Sequence, residues 1–436
     1  MVQIIDMTEG LNTKKDNEII LNPSIVKLND NEFLISFRYL GYLEKTQHPW
    51  VGVHKDNMWS MDYGGTAFAK IILDKTNNGF NVKNIKHFDS RFENAEDARL
   101  FKRSTYKDIN NFIYITYSIN ANFNDLPEEL KQYYYEGSCD IKFDIENSSK
   151  YNKRYAKTLD ISKDCNNITN DCGYMVICKC ELLGDEMNLK NNYLICPKCI
   201  HQKIEKNWSL WESNDKNLRI SYDIIGTHKF LIANTDDFQN CDMISFPNKL
   251  DLFEDPPSAS VELYDLKAEM NTICSLSTPA VDFGDDIMLA VGHAKHDHKG
   301  QMKPEFKKFK DVKIHPYYHY FMFFYTFDKD TGKILEISQL FTPYDNEPYS
   351  LVFASGLCKF DENNFIVSYG VGDEYCKLAI FSKDEILGLL DKKKRINRDI
   401  KLLYPEKSGG KNRNINKNAN KQQKIPAKKT SNKTKL

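Results

Sequence analysis

The chain has 436 residues and carries 60 Lys+Arg against 61 Asp+Glu, so its formal net charge is −1. This total combines two unlike parts. Residues 391–436 hold 16 basic and 3 acidic side chains, a formal +13, whereas residues 1–390 hold 44 and 58, a formal −14. Because the part with enough apolar residues to fold is acidic, the charge excludes a simple basic nucleic-acid-binding domain.

Targeting features are scarce in the sequence. The strongest apolar run, Tyr317–Phe327, is interrupted by His319 and is shorter than the roughly 18 residues that a membrane helix needs. Met1–Met7 has neither a basic start nor a long apolar stretch, so we expect no signal peptide and a cytoplasmic, reducing location. The 11 cysteines are therefore expected to be thiols or metal ligands rather than disulfides.

Short apolar and aromatic runs recur along most of the chain, and several alternate with polar residues as half-buried strands do. Turn residues of hairpin type separate them, as in Asn29–Asn31 and Asp361–Asn364. Helical periodicity is confined to two short candidates, Leu126–Tyr135 and Lys383–Leu390. Many hairpins without long helices predict an all-β sandwich or propeller, and the spacing of the hairpin groups suits about five four-stranded blades.

The predicted domain organisation has two parts. Residues 1–390 form the all-β domain, a five-bladed β-propeller, with a polar insertion at about 120–205 that interrupts the strand rhythm. Residues 391–436 are rich in Lys and Asn, with almost no apolar residues after Tyr404, and are predicted to be disordered. This tail could bind nucleic acid or anionic lipid, or act as a targeting signal at Lys392–Arg395; the alternative is a solvated tail without a partner.

Four short segments combine charged residues with a strand or turn. They are Asn94–Phe101, Glu205–Trp211 with Ile220–Asp223 and Gly226–His228, Ser277–Ala280 closing on Gly292-His293, and Ser368–Glu374. Each is weak alone, but their order and spacing resemble the five-bladed β-propeller enzymes that act on β-mannosides, namely the mannoside phosphorylases and hydrolases and the related β-mannosyltransferases. The resemblance covers roughly residues 18–385 without the 120–170 insertion, and Ala98 stands where the family has Pro. Its anchors are Asn22-Pro23-Ser24 with Arg38, Glu96-Asp97-Ala98-Arg99, Lys206-Asn207-Trp208 and Gly370-Val371-Gly372-Asp373.

The resemblance implies a role for each of several residues. Asp97 occupies the position of the family's catalytic acid, and Asp373 that of a carboxylate that holds sugar hydroxyls. If Asp97 is to donate a proton, burial or Glu96 has to oppose Arg99, which favours the ionised carboxylate. The predicted phosphate- or diphosphate-binding residues are Arg38, Arg99, Lys206 and His228.

Aromatic and histidine side chains near these segments have two readings each. Trp208, Tyr222 and Tyr369 could stack against sugars, or they could pack between blades like ordinary core residues. His293 could face the central channel as a binding residue, or only bond a backbone group.

The function implied is inverting transfer of a mannose-like sugar by a glycosyltransferase or a glycoside phosphorylase, with Asp97 as acid or base. The partners would be a sugar phosphate or sugar nucleotide and a glycan acceptor, and catalysis would need no cofactor. Two alternatives stay open: an inverting glycoside hydrolase, and a non-catalytic propeller that binds a glycan or a protein.

A second possible site involves cysteines. Cys178-Lys179-Cys180 and Cys196-Pro197-Lys198-Cys199 could form a structural Cys₄ zinc site within residues 165–201. The Cys-x-x-Cys half has the usual spacing, whereas the Cys-x-Cys half is tighter. The alternative is four free thiols in a reducing compartment.

Overall fold

A computed structural model of the chain describes most of residues 2–391. The described ranges are 2–12, 18–41, 63–76, 79–93, 95–103, 112–121, 172–183, 186–194, 207–224, 227–233, 241–247, 271–297, 318–343, 351–372 and 375–391. The predicted helix at Leu126–Tyr135 and the basic tail from residue 392 lie outside these ranges.

The described strands form five antiparallel sheets, each built mostly from consecutive strands. Blade 1 contains β2 (Glu18–Lys27), β3 (Glu32–Gly41), β4 (Tyr63–Thr76) and β5 (Gly79–Glu93). Blade 2 contains β6 (Ala95–Lys102), β7 (Phe112–Ala121), β8 (Cys172–Leu183) and β9 (Glu186–Leu194). Blade 3 contains β10 (Ser209–Glu212), β11 (Leu218–Asp223), β12 (Thr227–Ala233) and β13 (Cys241–Pro247).

The other two sheets complete the ring. Blade 4 contains β14 (Asn271–Leu276), β15 (Val281–Gly284), β16 (Ile287–Asp297), β17 (Tyr318–Asp328) and β18 (Ile334–Ile337). Blade 5 contains β19 (Val352–Asp361), β20 (Asn364–Val371), β21 (Tyr375–Ser382) and, as its fourth strand, β1 (Gln3–Asp6) from the start of the chain. Two short helices follow strands of this blade: α1 (Thr8–Leu11) comes after β1, and α2 (Lys383–Leu390) comes after β21.

Five apolar clusters hold the blades together, and each cluster lies between two neighbouring blades. One side chain from each partner illustrates the order: Phe68 with Ile115, Tyr114 with Leu210, Trp211 with Phe323, Phe324 with Phe365, and Ile366 with Phe33. Because the fifth cluster returns to blade 1, the sheets form a closed ring. The predicted five-bladed β-propeller is confirmed.

The first strand of the chain helps to close this ring. β1 pairs antiparallel with β21, so blade 5 combines strands from both ends of the folded part. The Gln3 side chain then reaches blade 1, where its amide donates to the Phe80 carbonyl at 2.8 Å and accepts from the Phe80 N–H at 2.7 Å. These two bonds join blade 5 to blade 1 at the periphery.

Local sequence signals account for several of these elements, and one boundary differs from the prediction. Helix α2 begins after Ser382, whose hydroxyl accepts from the Glu385 N–H in a capping box, as expected for Lys383–Leu390. The predicted insertion, by contrast, is too long at its carboxyl end. Residues 172–183 and 186–194 are β8 and β9 of blade 2, because their apolar alternation, including Val176 and Cys178, buries one face against blade 1.

Candidate active site

The first strands of the blades approach one another, and β2, β6 and β19 are in mutual contact. In β2 the two residues Asn22 and Pro23 face only Phe37 on the partner strand, and in β6 Asp97 and Ala98 face only Tyr117. Each extra residue makes a β-bulge, a feature that redirects side chains and is common next to active sites. The two bulges therefore present their residues outside the regular ladder.

Asn22 and Asp97 share an unusual backbone conformation at these bulges. Their φ angles are 49° and 51°, in the left-handed region that non-glycine residues rarely adopt. Asn and Asp are the side chains that tolerate it best. Such residues concentrate at functional sites, where the surrounding structure imposes the conformation.

The carboxyl group of Asp97 is held from two sides. The Asn22 amide nitrogen Nδ2 donates to Asp97 Oδ1 at 2.8 Å, and Arg38 Nη1 lies 3.7 Å from the same oxygen. Arg38 also pairs with Glu96, with its Nη2 donating to Oε1 at 2.6 Å. The three charged side chains are 14–15% exposed. Two carboxylates therefore share one arginine in a partly solvated setting.

Arg99 is the most deeply buried charge of this group, with 1% of its surface exposed. Its Nε donates to the Ser277 carbonyl, its Nη1 to the Asp97 carbonyl, and its Nη2 to Asn207 Oδ1 at 2.7 Å. The guanidinium also lies 5.7 Å from the centre of the Phe353 ring. Burial lowers the pKa of Arg99 to about 10, although the nearby Asp97 opposes this shift. Arg99 stays protonated at neutral pH.

His293 lies beside Arg99 and completes the cluster. Its Nδ1 is 2.8 Å from Ser277 Oγ, and its ring packs edge-on against Phe353 at 4.9 Å between centroids. Burial, together with the positive charge of Arg99 and Lys295, lowers the pKa of His293 to about 3. The imidazole is therefore neutral at physiological pH and supplies no positive charge. His293 thus lies beside Arg99 and bonds the Ser277 hydroxyl, while a role for it in substrate binding stays a prediction.

Asn22 is also held from the opposite side, by the packing of Gly370. A Cβ at Gly370 would lie 2.4 Å from Asn22 Oδ1 and 2.9 Å from Asn22 N, so only glycine fits here. The chain thus brings together described residues from all four sequence segments. These are Glu96 to Arg99, Asn207, Ser277 with His293, and Gly370, and they meet Asn22 and Arg38 of blade 1.

Other predicted site residues lie elsewhere. His228 is fully buried between blades 3 and 4, where Nε2 is 3.0 Å from Ser221 Oγ and Nδ1 bonds the Gly332 carbonyl. Burial lowers its pKa to about 4, so the ring is neutral at pH 7. A neutral ring with both nitrogens engaged offers no charge for an anion, which argues against the predicted anion-binding role of His228.

The aromatic residues considered for sugar stacking are core residues. Tyr222 packs against Trp208 with 5.1 Å between ring centroids, and the two are 7% and 1% exposed. Tyr369 is 1% exposed and belongs to the cluster between blades 4 and 5. Buried faces cannot receive a sugar ring, so the packing interpretation applies and Tyr222 is not a stacking residue in this structure.

Cys178 and Cys180 point to the same face of β8 and are fully buried in the cluster between blades 1 and 2. Burial raises the pKa of both thiols, that of Cys180 to about 12. Within the described residues, no three His, Cys, Asp or Glu side chains are placed to hold a metal. Their partners Cys196 and Cys199 lie outside the described residues, so the Cys₄ zinc site stays a prediction.

Two further predicted residues, Lys206 and Asp373, also lie outside the described ranges. Their chain neighbours are informative, because Asn207 bonds Arg99 and Gly370 packs on Asn22. Sequence reasoning did not assign site roles to Asn22, Asn207 and Ser277. Asn22 and Asn207 could have been noticed as asparagines within or shortly before first strands, because Asn tolerates the left-handed backbone better than most residues.

The fold and the arrangement around Asp97 define this chain as a five-bladed β-propeller with a partly buried polar cluster where its first strands meet. No protein-family model and no curated protein sequence matches the chain. No helix among the described residues has the length and apolar character of a membrane span.

Several solved structures are similar to the chain. One is a β-1,2-mannobiose phosphorylase from Listeria innocua (12% identity, 89% of this chain, 99% of the other, TM-score 0.46). Two are from Leishmania mexicana: MPT-4, a mannose phosphorylase (12%, 85% and 85%, 0.41), and MPT-1, a GDP-Man-dependent mannosyltransferase (9%, 87% and 89%, 0.40). All three TM-scores are below 0.5, so the fold assignment rests on the five sheets of the chain itself.

Proposed function

We propose that this protein is a glycan-active enzyme that transfers a mannose-like sugar with inversion of configuration, with Asp97 as its acid or base catalyst. The observation that carries the proposal is the placement of Asp97. Its carboxyl group stands on a strained bulge of a first strand, is oriented by Asn22 at 2.8 Å, and keeps 14% of its surface exposed. The motifs that resemble the β-mannoside enzymes include this same residue.

The chemistry requires a proton to move at the oxygen of the sugar bond. In a phosphorylase, Asp97 would act as the acid for the leaving group while phosphate attacks the opposite face of the sugar. In a nucleotide-sugar transferase, the ionised Asp97 would take the proton from the acceptor hydroxyl. Arg38, which already lies at the carboxylates of Glu96 and Asp97, would contribute positive charge for the phosphate group together with Lys206.

The experiment measures turnover by the full-length protein with GDP-mannose and, separately, with mannose 1-phosphate, each against mannoside acceptors. We expect product with one donor, and loss of at least about 100-fold in kcat for Asp97→Asn, within the range of a general acid or base. The matched control is Asp285→Asn, because Asp285 also has a left-handed φ of 53° but lies in the β15–β16 turn.

Asparagine tolerates the left-handed region, so both variants should keep the wild-type melting temperature. Wild-type activity in Asp97→Asn would remove Asp97 from the mechanism. A folded wild-type protein without turnover on any donor would instead favour the non-catalytic, glycan- or protein-binding propeller.

A further inference from the structure

We propose that Arg99 and Asn207 are positioning residues that fix the main chain of Asp97, an inference that rests on the proposed function. Arg99 was predicted from sequence to bind the anionic part of the donor. Its contacts in the structure indicate a different task. All three acceptors of its hydrogen bonds are neutral oxygens, namely two backbone carbonyls and one side-chain amide.

The contacts of the Arg99 guanidinium with several blades explain how it can hold the main chain of Asp97 in place. The residue belongs to β6 of blade 2, and its guanidinium bonds Asn207 at the start of blade 3 and Ser277 after β14 of blade 4. The same group lies over the ring of Phe353 in blade 5. One planar, rigid guanidinium group therefore connects residues of four blades around the bulge, a geometry that lysine cannot reproduce.

The bulge at Asp97 interrupts the backbone ladder, and a hydrogen bond from Arg99 stabilises the main chain there. Asp97 and Ala98 together face only Tyr117, so the regular ladder is interrupted at this point. Arg99 Nη1 donates to the Asp97 carbonyl within the bulge. Inside such a bulge the ladder supplies no regular cross-strand partner for the backbone groups, so a side-chain donor can fix the carbonyl in place. This bond therefore stabilises the left-handed conformation that presents the Asp97 carboxyl group.

Asn207 acts on the main chain of Asp97 indirectly, through its hydrogen bond to Arg99. Its side-chain oxygen accepts from Arg99 Nη2 at 2.7 Å, and its own φ of 67° lies in the left-handed region. Asp can keep both the oxygen acceptor and this backbone conformation, whereas Gly keeps only the backbone. The pair Asn207→Asp and Asn207→Gly therefore separates the hydrogen bond from the turn that carries it.

Arg99 is 1% exposed, which separates this role from anion binding. A positioning residue changes the rate of the chemical step and leaves donor affinity alone, whereas an anion-binding residue changes donor affinity. A displacement of about 1 Å of a catalytic group can cost about 100-fold in rate. Positioning therefore predicts a lower kcat with an unchanged donor KM, whereas anion binding predicts a higher donor KM with kcat retained.

The first test measures kcat and donor KM for Arg99→Lys, Asn207→Gly and Asn207→Asp in the full-length protein. We expect Arg99→Lys and Asn207→Gly to lower kcat about 10- to 100-fold while donor KM stays within about twofold, and Asn207→Asp to retain most of the wild-type kcat. A rise of more than about tenfold in donor KM with kcat retained would overturn the proposal, and so would unchanged kinetics.

A matched control separates positioning from general loss of stability. Arg219 is also buried, lies 5.0 Å from the centre of the Trp211 ring, and donates to the backbone carbonyl of Asp330 away from the site. Arg219→Lys should lower the melting temperature and leave kcat unchanged. An equal fall in kcat for Arg219→Lys would show that the effect at Arg99 is merely structural.

The second test does not depend on activity, so it separates failure of this inference from failure of the proposed function. Melting temperatures are compared for Arg99→Met, Asn207→Gly and the double variant. If the two residues act through one bond, the double variant melts about as high as Arg99→Met alone. Fully additive losses would overturn the link, even if the wild-type protein turns over no donor.

Discussion

Asn22 donates its side-chain amide to the Asp97 carboxylate across 2.8 Å, and both residues hold a left-handed backbone on neighbouring bulged strands. The bond joins blade 1 to blade 2 next to the point where Arg38 reaches both Glu96 and Asp97. Two strained residues that stabilise each other at one place are typical of a site where geometry matters more than stability.

Removal of the Asn22 amide should impair the site without unfolding it. Asn22→Gly keeps the left-handed backbone at little cost and deletes the donor to Asp97, so we expect kcat to fall about 10- to 100-fold. Asn22→Asp should be at least as damaging, because it places a second carboxylate against Asp97. Steady-state kinetics with melting curves measure both effects. A wild-type kcat in Asn22→Gly would show that Asp97 needs no orientation from the Asn22 amide.

A methyl group at Gly370 should disturb Asn22, against which Gly370 packs. The added Cβ would lie 2.4 Å from Asn22 Oδ1, so Gly370→Ala should destabilise the fold by about 1–3 kcal/mol and lower kcat. Gly284→Ala serves as the control. It should cost about 1 kcal/mol through its φ of 101° but leave kcat unchanged, since a Cβ there would lie 3.6 Å from Lys383 Nζ and far from Asp97. Equal kinetics for both variants would contradict the packing argument.

The pH dependence of stability should report His228. Burial lowers its pKa to about 4 in the folded chain, against about 6.5 for an exposed histidine. Between these values the unfolded chain binds a proton that the folded chain does not, so the free energy of unfolding falls as the pH drops from about 6.5 to 4.

Once the pH is below both pKa values, His228 lowers the free energy of unfolding by about 3 kcal/mol relative to neutral pH. Denaturant unfolding at pH 7 and at pH 4.5 measures it, with His228→Gln as the comparison. We expect a smaller loss of stability on acidification in the variant, because glutamine has no proton to take up. The same loss in both proteins would mean that His228 does not sense this pH range.

The buried thiols of β8 should behave as packing residues. Cys178→Ala removes a sulfur atom from the cluster between blades 1 and 2, so we expect a loss of about 1 kcal/mol, the same with and without a chelator. Metal analysis of the full-length wild-type protein is the companion measurement. About one equivalent of zinc that falls in Cys178→Ala would contradict this expectation and support the predicted Cys₄ site.

Local patterns explain which parts of the fold were predictable. Strand alternation in Phe33–Phe37 and the capping box at Ser382 depend on residues close in sequence, so the strands and helix α2 were anticipated. The pairing of β1 with β21 was not, because a strand of four residues carries little signal and its partner lies at the other end of the folded part. The insertion predicted at about 120–205 includes residues 172–194 although Tyr174–Cys178 is a strand-like apolar run, because the long polar stretch before it gives no local signal of where the insertion ends.

The sequence by itself determined the all-β class, because strand patterns are local properties, and the resemblance of its motifs to the β-mannoside enzymes pointed to Asp97, Arg38 and Arg99 as a group. Only the tertiary structure decided what each does. Arg38 meets the carboxylates of Glu96 and Asp97, whereas Arg99 turns inward to backbone and amide oxygens of three blades. His228 and Tyr222, chosen for the same site, are buried in seams between blades. The direction of a side chain depends on strand register and blade packing, which place residues far apart in sequence against one another.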